Sequence, residues 1–354
     1  MNAARTLRTP SDLVGAGLVS PERLSALEQV AERYAVALTP TVVALIDPTD
    51  ASDPISRQFV PDPAELETRP EERADPIGDS AHSPVPGIVH RYPDRVLLKP
   101  VHVCPVYCRF CFRREVVGPD GLRTLSADEL AAALAYVAGR REIWEVIVTG
   151  GDPLVLSPQR LHAITGGLAA IEHVKVVRWH TRVPAVDPDR VDAALVATLK
   201  AEGKATFVVV HANHPRELSA AARAACARIV DAGVPMLSQS VLLRGVNDDP
   251  ETLETLLRAL VETRIKPYYL HHGDLAPGTA RLRTGIGEGQ ALMRALRGRV
   301  SGLCQPAYVL DIPGGRGKVP VGPAYVAVGD DGAQLVEDPC GEWHAYPPRP
   351  GDDG

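Results

Sequence analysis

The sequence predicts an α/β fold, a partial (β/α)6 barrel with an N-terminal helical extension and a short C-terminal tail. From about residue 91, apolar segments alternate with helical patterns six times, which is typical of a parallel sheet with helices outside. The apolar segments are nearly continuous in Val, Ile and Leu, as in strands that are buried on both faces. Polar and glycine-rich residues gather where these segments end, and in barrels this rim carries the chemistry.

Composition divides the 354 residues into three regions. Residues 1–90 are rich in Pro, Asp and Arg and are predicted to form a helical and extended region. Residues 91–325 form the barrel, and residues 326–354 form a short polar tail. A barrel of about 200–250 residues with extensions accounts for this length.

The N-terminal region contains one good helical pattern, over residues 20–37. Ser20 can cap this helix, Pro21 suits its first turn, and apolar residues recur at helical spacing after them. Residues 47–88 are mostly loop by composition. Because so long a segment is seldom an idle connection, we expect it to wrap the barrel or a partner subunit.

Six strands and six helices are predicted for the barrel. The strand candidates are residues 95–103, 144–150, 174–180, 205–212, 234–243 and 266–272. The helix candidates lie near residues 126–139, 157–171, 188–202, 216–232, 250–264 and 285–299. The first helix begins with a capping box, Ser126 with Glu129.

Charge and apolar content exclude several classes of protein. The net charge of -6 and the pI near 6.0 argue against a surface for nucleic acid. The N-terminus lacks the apolar core of a signal peptide, and no apolar run approaches the roughly 18 residues of a membrane span. We therefore expect a cytoplasmic protein without a membrane partner. Six cysteines would stay reduced there, so clustered cysteines indicate metal ligands or catalysts.

Three cysteines lie within eight residues after the first predicted strand, Cys104, Cys108 and Cys111, with the spacing C-x3-C-x2-C. Three close thiolates can bind three irons of a [4Fe–4S] cluster and leave the fourth iron for S-adenosylmethionine. The alternatives are a structural zinc site, with His102 as a candidate fourth ligand, and thiols of no special role. The aromatic Phe110 before the last cysteine and the barrel pattern favour the cluster.

A glycine-rich segment, "PGGRGK" at residues 313–318, ends in Lys318. A phosphate loop is excluded because Ile312 stands where the first glycine belongs and Val319 replaces Ser or Thr. Two interpretations of these residues remain. One is a surface turn with a solvated lysine. The other is a Schiff-base lysine for pyridoxal phosphate, with glycines that allow close approach and keep the lysine mobile.

Eight motifs in order, from about residue 50 to 327, resemble the lysine 2,3-aminomutase family of the radical S-adenosylmethionine superfamily. They are "HRYPDRVLL", "CPVYCRFCFRRE", "TGGDPL", "HTRVP", "HANHP", "QSVLLRGVND", "PYYLHHGDL" and "VLDIPGGRGK". The resemblance implies a radical S-adenosylmethionine barrel and an isomerase that converts L-lysine to β-lysine. It also implies a reductant such as flavodoxin or ferredoxin and a homo-oligomer, at least a dimer.

The resemblance implies three cofactors and the residues that bind them. The [4Fe–4S] cluster is assigned to the three cysteines named above. The residues implied for pyridoxal phosphate are Lys318, which bonds to the cofactor, and, near its phosphate, Arg91, Tyr92 and Arg95. The residues implied for S-adenosylmethionine are Gly150, Gly151 and Asp152, with His211 and Gln239 as further contacts.

Substrate choice is expected to depend on countercharges. By resemblance, Arg113 pairs with the substrate carboxylate, and Asp274 and Asp311 hold the ε-ammonium of lysine. Two acids there would repel glutamate. The alternatives are an aminomutase that supplies β-lysine for elongation factor P, a branch expected to lack the second acid, and a zinc-stabilised, non-catalytic binding barrel.

One part of the clostridial type is missing from the sequence. That type adds a zinc site between subunits, with a cysteine after "VND" and a cysteine cluster in the tail. Here the first position is Asp249, and the tail has a single cysteine, Cys340. Cys226 and Cys304 are typical of buried free thiols. Because four soft ligands cannot be assembled from these residues, we expect no structural zinc.

Overall fold

The structure, a computed structural model, describes residues 5–117, 124–330 and 332–348. The first four and last six residues, which belong to the predicted N-terminal region and tail, lie outside the described residues. The predicted α/β barrel is confirmed. A nine-stranded sheet keeps its strands in chain order, all neighbours between the second and the eighth are parallel, and both edge pairs are antiparallel. The sheet curls into an open half-barrel with helices outside.

The bounds of the described helices and strands are as follows. The α-helices are α1 Pro10–Gly15, α2 Leu24–Arg33, α3 Pro40–Leu45, α4 Pro54–Phe59, α5 Ala127–Ala138, α6 Pro158–Ala169, α7 Val183–Val186, α8 Ala193–Leu199, α9 Ala220–Asp231, α10 Pro250–Glu262 and α11 Ile286–Leu296. The strands are β1 Ile88–Tyr92, β2 Arg95–Val101, β3 Glu145–Gly150, β4 Val176–Thr181, β5 Ala205–His211, β6 Met236–Val241, β7 Ile265–His271, β8 Ala307–Asp311, β9 Lys318–Pro320, β10 Val326–Val328, β11 Gln334–Glu337 and β12 Trp343–Tyr346.

The sheet has three strands that the sequence pattern did not predict. β1 precedes the six predicted strands and pairs with β2, and β8 and β9 follow them. These strands have only three to five residues, and their polar side chains break the apolar runs that reveal buried strands. The helix predicted over 188–202 is also shorter, because Asp192 caps α8 through the N–H of Leu195 at 2.7 Å.

The N-terminal extension packs on the barrel of its own chain. The helix predicted over 20–37 is present as a 3₁₀ turn, Pro21–Arg23, followed by α2; it ends earlier than predicted because the backbone of Tyr34 is extended. Residues 47–88 are mostly irregular, as predicted, although they include α4 and the 3₁₀ turn Pro63–Leu66. They reach the barrel through backbone hydrogen bonds such as Arg73 N–H to the carbonyl of Leu275, at 2.9 Å. None of the described helices is long and apolar enough to cross a lipid bilayer.

The tail contains a small sheet that the sequence did not predict. β10, β11 and β12 form an antiparallel meander of three- and four-residue strands. In this sheet Asp338, Glu342 and His344 bring potential ligand atoms within 4.8 Å of one another. Because exposed acidic groups often gather without an ion, the expected absence of structural zinc stays a prediction. The division of the chain into three regions also stays a prediction.

Candidate functional site

A cavity of about 760 Å³ lies inside the half-barrel. It is open at the carboxyl ends of the parallel strands, where the loops after β2, β3, β4 and β7 meet. Every residue that the sequence predicted for the site lines this cavity: Arg91, Tyr92, Arg95, Cys104, Cys108, Cys111, Arg113, Gly150, Gly151, Asp152, His211, Gln239, Asp274, Asp311 and Lys318. Most of them come together because the carboxyl ends of parallel strands share one edge of the sheet. The others, Arg91, Tyr92, Arg95 and Lys318, lie on the antiparallel pairs at the two sides of the sheet.

The three cysteines lie on residues 102–117, the cysteine loop, which follows β2 and consists of turns. All three are free thiols. Burial raises the pKa of each one, that of Cys108 to about 11. A buried thiol becomes a thiolate when a bound cation compensates its charge, so these cysteines are suited to a metal rather than to surface nucleophilic chemistry.

The spacing of the thiols in the structure fits a cluster better than one zinc ion. Their three sulfur atoms do not all lie within 4.8 Å of one another, although Cys108 and Cys111 both raise the pKa of Cys104. A single zinc ion at about 2.3 Å from each sulfur needs them closer. His102, the candidate fourth zinc ligand, is buried and its Nδ1 has no hydrogen-bond partner. The geometry therefore does not favour the zinc alternative.

The glycines after β3 hold that strand end against the cysteine loop. A Cβ on Gly150 would lie 2.5 Å from the carbonyl of Val101, and one on Gly151 would lie 2.4 Å from that of Val103. Only glycine allows this approach. The structure therefore gives these two glycines a role in packing, in addition to the contact with S-adenosylmethionine that the sequence predicts.

Asp152 is bound by groups of its own chain. Its buried carboxylate accepts hydrogen bonds from Thr181 Oγ1 at 2.8 Å and from the backbone N–H of Arg182 at 2.7 Å. It also accepts from the N–H groups of Leu154 and Val183. The carboxylate thus connects the ends of β3 and β4. The predicted contact with the ammonium group of S-adenosylmethionine would be a further hydrogen bond to the same carboxylate.

Lys318 lies beside an acid and a histidine. The antiparallel register of β8 and β9 places Asp311 opposite Lys318, and the Nζ of the lysine donates to the Asp311 carboxylate. The same Nζ lies 3.1 Å from Nδ1 of His271. Although burial raises the pKa of Asp311, hydrogen bonds with His271 and Lys318 outweigh this effect and bring the pKa to about 2. Asp311 is therefore ionised at neutral pH.

The glycines before Lys318 form the hairpin that creates this register. Gly314, Gly315 and Gly317 all have positive φ, which residues with a side chain rarely adopt. The hydroxyl of Tyr92 accepts a hydrogen bond from the backbone N–H of Lys318 at 2.6 Å. Arg95 stacks on Tyr92, with its guanidinium 3.9 Å from the ring centroid. The predicted cofactor lysine and two of the predicted phosphate-binding residues are thus neighbours.

Asp274 lies in the same cavity as Asp311. Burial, together with the charge of Asp311, raises the pKa of Asp274 to about 7. The two acids therefore differ at neutral pH, since Asp311 carries a full negative charge and Asp274 a partial one. The charge of Lys318 lowers the pKa of both acids, so both face the same positively charged group.

Asp79 is a site residue that the sequence did not predict. Its carboxylate accepts from Arg113 Nη2 at 2.9 Å and from Arg91 Nη2 at 3.2 Å, and Lys99 Nζ lies 3.5 Å away. Although burial raises the pKa of Asp79, Arg113 and Lys99 lower it below the ordinary value. Three cations thus meet at one carboxylate, and Arg91 also lies 3.9 Å from Asp311, so Asp79 helps to fix the guanidinium groups of Arg91 and Arg113 in place.

Two histidines near the carboxyl ends of β4 and β7 were also not predicted as site residues. His180, at the end of β4, faces His211 with ring centroids 5.8 Å apart, and His271 stands at the end of β7. Burial lowers the pKa of His180 and of His271, so both are neutral at pH 7. The Nε2 atoms of both are buried without a partner. The sequence signals for them were their positions near strand ends and within the motifs "HTRVP" and "PYYLHHGDL".

Known proteins resemble the chain over most of its length. The profile of the radical SAM superfamily matches residues 98–257, and that of lysine-2,3-aminomutase matches residues 293–336. The L-lysine 2,3-aminomutase of Clostridium subterminale is 39% identical over 308 residues, which are 87% of this chain and 74% of that protein. The chain belongs to the lysine 2,3-aminomutase family.

Relatives within the family differ in the substrate they are named for. A putative L-lysine 2,3-aminomutase of Aquifex aeolicus is 38% identical and covers 86% of this chain and 82% of that protein. The glutamate 2,3-aminomutase of Clostridioides difficile is 35% identical and covers 87% of this chain and 73% of that protein. This aminomutase is an isomerase, and its superfamily implies a [4Fe–4S] cluster and S-adenosylmethionine. Membership alone does not choose between lysine and glutamate.

Proposed function

We propose that this aminomutase moves the α-amino group of L-lysine to the neighbouring carbon, with pyridoxal phosphate bound to Lys318. The observation that carries the proposal is the position of Lys318 beside Asp311, in one cavity with Asp274 and the cysteine loop. Lysine has a side-chain ammonium for such acids to bind. A glutamate side chain would meet like charge in the same place.

The residues around Lys318 fit pyridoxal phosphate. The lysine amine reaches the cavity, and Tyr92 and Arg95 lie against its strand. Arg91 Nη1 lies 3.9 Å from Asp311 and its Nε is buried without a partner, so it has a donor left for an anion. Pyridoxal phosphate would carry the migrating nitrogen, and S-adenosylmethionine at the cluster would supply the radical that removes a substrate hydrogen.

The charged residues of the chain would bind and orient the substrate. Arg113 suits the substrate carboxylate, because a guanidinium binds a carboxylate through two parallel hydrogen bonds. Asp79 would keep this guanidinium oriented from the other side. Once Lys318 is bonded to the cofactor, Asp311 loses its ammonium partner and is free for the ε-ammonium of lysine.

A direct comparison of two substrates tests the proposal. The protein is reconstituted anaerobically with iron and sulfide, reduced, and incubated with both organic cofactors and either L-lysine or L-glutamate. Chiral chromatography of the products should show β-lysine and little or no β-glutamate. Faster formation of β-glutamate would show that the acids do not select the substrate, and no product from either would refute the proposed reaction.

Replacing Asp311 with asparagine should weaken lysine binding. Losing one partner of a buried charge pair costs about 3–5 kcal/mol, so the KM for lysine should rise by about a hundredfold or more. Iron content and reductive cleavage of S-adenosylmethionine should stay at the wild-type level. Asp338, a half-buried residue in the turn after β11, provides a control, since Asp338→Asn should leave the KM unchanged. Unchanged KM values in both Asp311→Asn and Asp274→Asn would place the ammonium elsewhere.

The pKa of Asp274 predicts how lysine turnover depends on pH. Burial raises this pKa to about 7, so the carboxyl is mainly neutral below that pH and mainly ionised above it. Because only the ionised form attracts an ammonium, kcat/KM for lysine should rise with pH through the neutral range. Asp274→Asn should lose this ascending limb while keeping the iron content. An identical limb in the variant would assign the titration to another group.

A further inference from the structure

A buried group of charged side chains touches the cysteine loop without lining the cavity. Glu65 and Arg109 are fully buried and Arg114 is 2% exposed. Arg109 Nε donates to both carboxylate oxygens of Glu65, at 2.9 and 3.0 Å. The terminal nitrogens of Arg109 and Arg114 both donate to Oε2 of the same carboxylate. One acid therefore binds two arginines.

Both arginines belong to the cysteine loop. Arg109 directly follows Cys108, and Arg114 comes three residues after Cys111. Arg114 Nη1 also donates to the carbonyl of Arg109, at 3.1 Å, which closes the loop on itself. Along the chain, Cys111 lies between these two arginines and Cys108 directly precedes the first of them, and both arginine side chains meet at Glu65.

Glu65 comes from the N-terminal segment, in the 3₁₀ turn Pro63–Leu66. The same region makes further bonds to the loop, since Ala35 and Gln58 offer carbonyls to Arg109 at 2.7 and 2.8 Å. Val106, between the first two cysteines, is buried in the apolar cluster of the N-terminal helices. The N-terminal segment therefore holds the loop through hydrogen bonds and apolar packing.

The acid stays ionised in its buried position. Burial by itself raises the pKa of Glu65, but the charges of Arg109 and Arg114 outweigh this effect and lower it. Arg281, whose Nη2 lies 3.7 Å from Oε1, adds a third positive charge. Without the carboxylate, the arginines would remain buried with no counterion and the loop would have to move to expose them.

We propose that Glu65 is a positioning residue for the [4Fe–4S] cluster: it holds Arg109 and Arg114 so that the cysteine loop presents its thiols in the arrangement that the cluster needs. The N-terminal segment is then part of the cluster site rather than a separate covering. This inference rests on the cluster implied by the family and does not depend on the substrate or on pyridoxal phosphate.

The test compares Glu65→Gln with a matched variant, Asp53→Asn, in the full chain. Asp53 is also a fully buried acid of the N-terminal segment and pairs with Arg216 Nη1 at 2.8 Å, but its side chain makes no hydrogen bond to the cysteine loop. Both proteins and the wild type are reconstituted anaerobically. Iron and sulfide per chain, the electron paramagnetic resonance spectrum of the reduced cluster and the rate of iron loss to a chelator are measured, together with the melting temperature.

The Glu65→Gln protein should lose iron at least about tenfold faster than the wild type, because changing a residue that supports a metal ligand usually weakens metal binding by about that much. The electron paramagnetic resonance spectrum of its reduced cluster should also differ from that of the wild type. Asp53→Asn should lower the melting temperature but keep the wild-type spectrum and iron loss. Wild-type behaviour of Glu65→Gln, or equal iron loss from both variants, would overturn the proposal, because the effect would then be absent or due to general destabilisation.

A second variant covers the case in which Glu65→Gln does not fold. Glu65→Asp keeps the charge but is one methylene too short to reach both arginines, so it should fold and still lose iron faster than the wild type. Iron loss at the wild-type rate from Glu65→Asp would overturn the proposal. A wild-type protein that binds no cluster at all would instead refute the assignment of the cysteines, which separates the two failures.

Discussion

Replacing Cys108 with alanine is expected to remove the [4Fe–4S] cluster and all turnover. Burial raises the pKa of this thiol to about 11, so its thiolate is stable only when iron is bound. With two thiolates left, a second iron would lack a protein ligand and the cluster would be lost. Iron and sulfide analysis should show this loss, and reductive cleavage of S-adenosylmethionine should fall by a factor on the order of a thousand or more.

Cys340→Ala is the matched control. Cys340 is exposed in the turn between β11 and β12, far along the chain from the cysteine loop, and its removal should leave iron content and cleavage unchanged. Full iron and wild-type cleavage in Cys108→Ala would refute the assignment. A colourless wild-type protein with stoichiometric zinc would favour the zinc-stabilised binding barrel instead.

Replacing Lys318 with alanine is expected to abolish the amino shift while the cluster remains. No other described lysine lines the cavity, and the register of β8 and β9 directs this one to Asp311. Lysine turnover should fall by a factor on the order of a thousand or more, because the covalent link to the cofactor is lost. Iron content and uncoupled cleavage of S-adenosylmethionine should persist, which distinguishes this variant from the cysteine variant.

Borohydride reduction and peptide mapping provide the direct measurement. The pyridoxyl group should be found on Lys318 in the wild type and on no peptide of Lys318→Ala. Lys266→Ala is the control, since Lys266 lies at the other end of β7 and donates to the carbonyls of Leu303 and Gln305. A label on Lys99 or Lys266 in the wild type would assign the cofactor to another lysine.

Much of the fold could be predicted because buried parallel strands have a simple pattern. Segments such as 144–150 and 205–212 are mostly apolar and differ clearly from the helices between them. β1, β9 and the small sheet of β10–β12 were not predicted, because short or exposed strands do not contain a continuous run of apolar residues. Their pairing depends on neighbours that are supplied only by the folded chain.

The site was predicted where its residues lie in short motifs at strand ends. Asp79 and Glu65 were not predicted, since both come from an irregular segment that has no periodicity. Asp79 meets Arg113 across 34 residues of chain, and Glu65 meets Arg109 across 44. Neither separation carries a signal in a single sequence, because the pairing is created by packing of the segment on the barrel.

The sequence by itself determined which chemistry is available to this protein. Three thiols within eight residues and a lysine after a glycine turn are local features, since a short stretch of chain limits how far its side chains can separate. Only the tertiary structure decided which charges meet: Asp311 with Lys318 through strand register, and Glu65 with the arginines of the cysteine loop through packing. The physical reason is that electrostatic pairing depends on distance in space and on burial, and neither follows from distance along the chain.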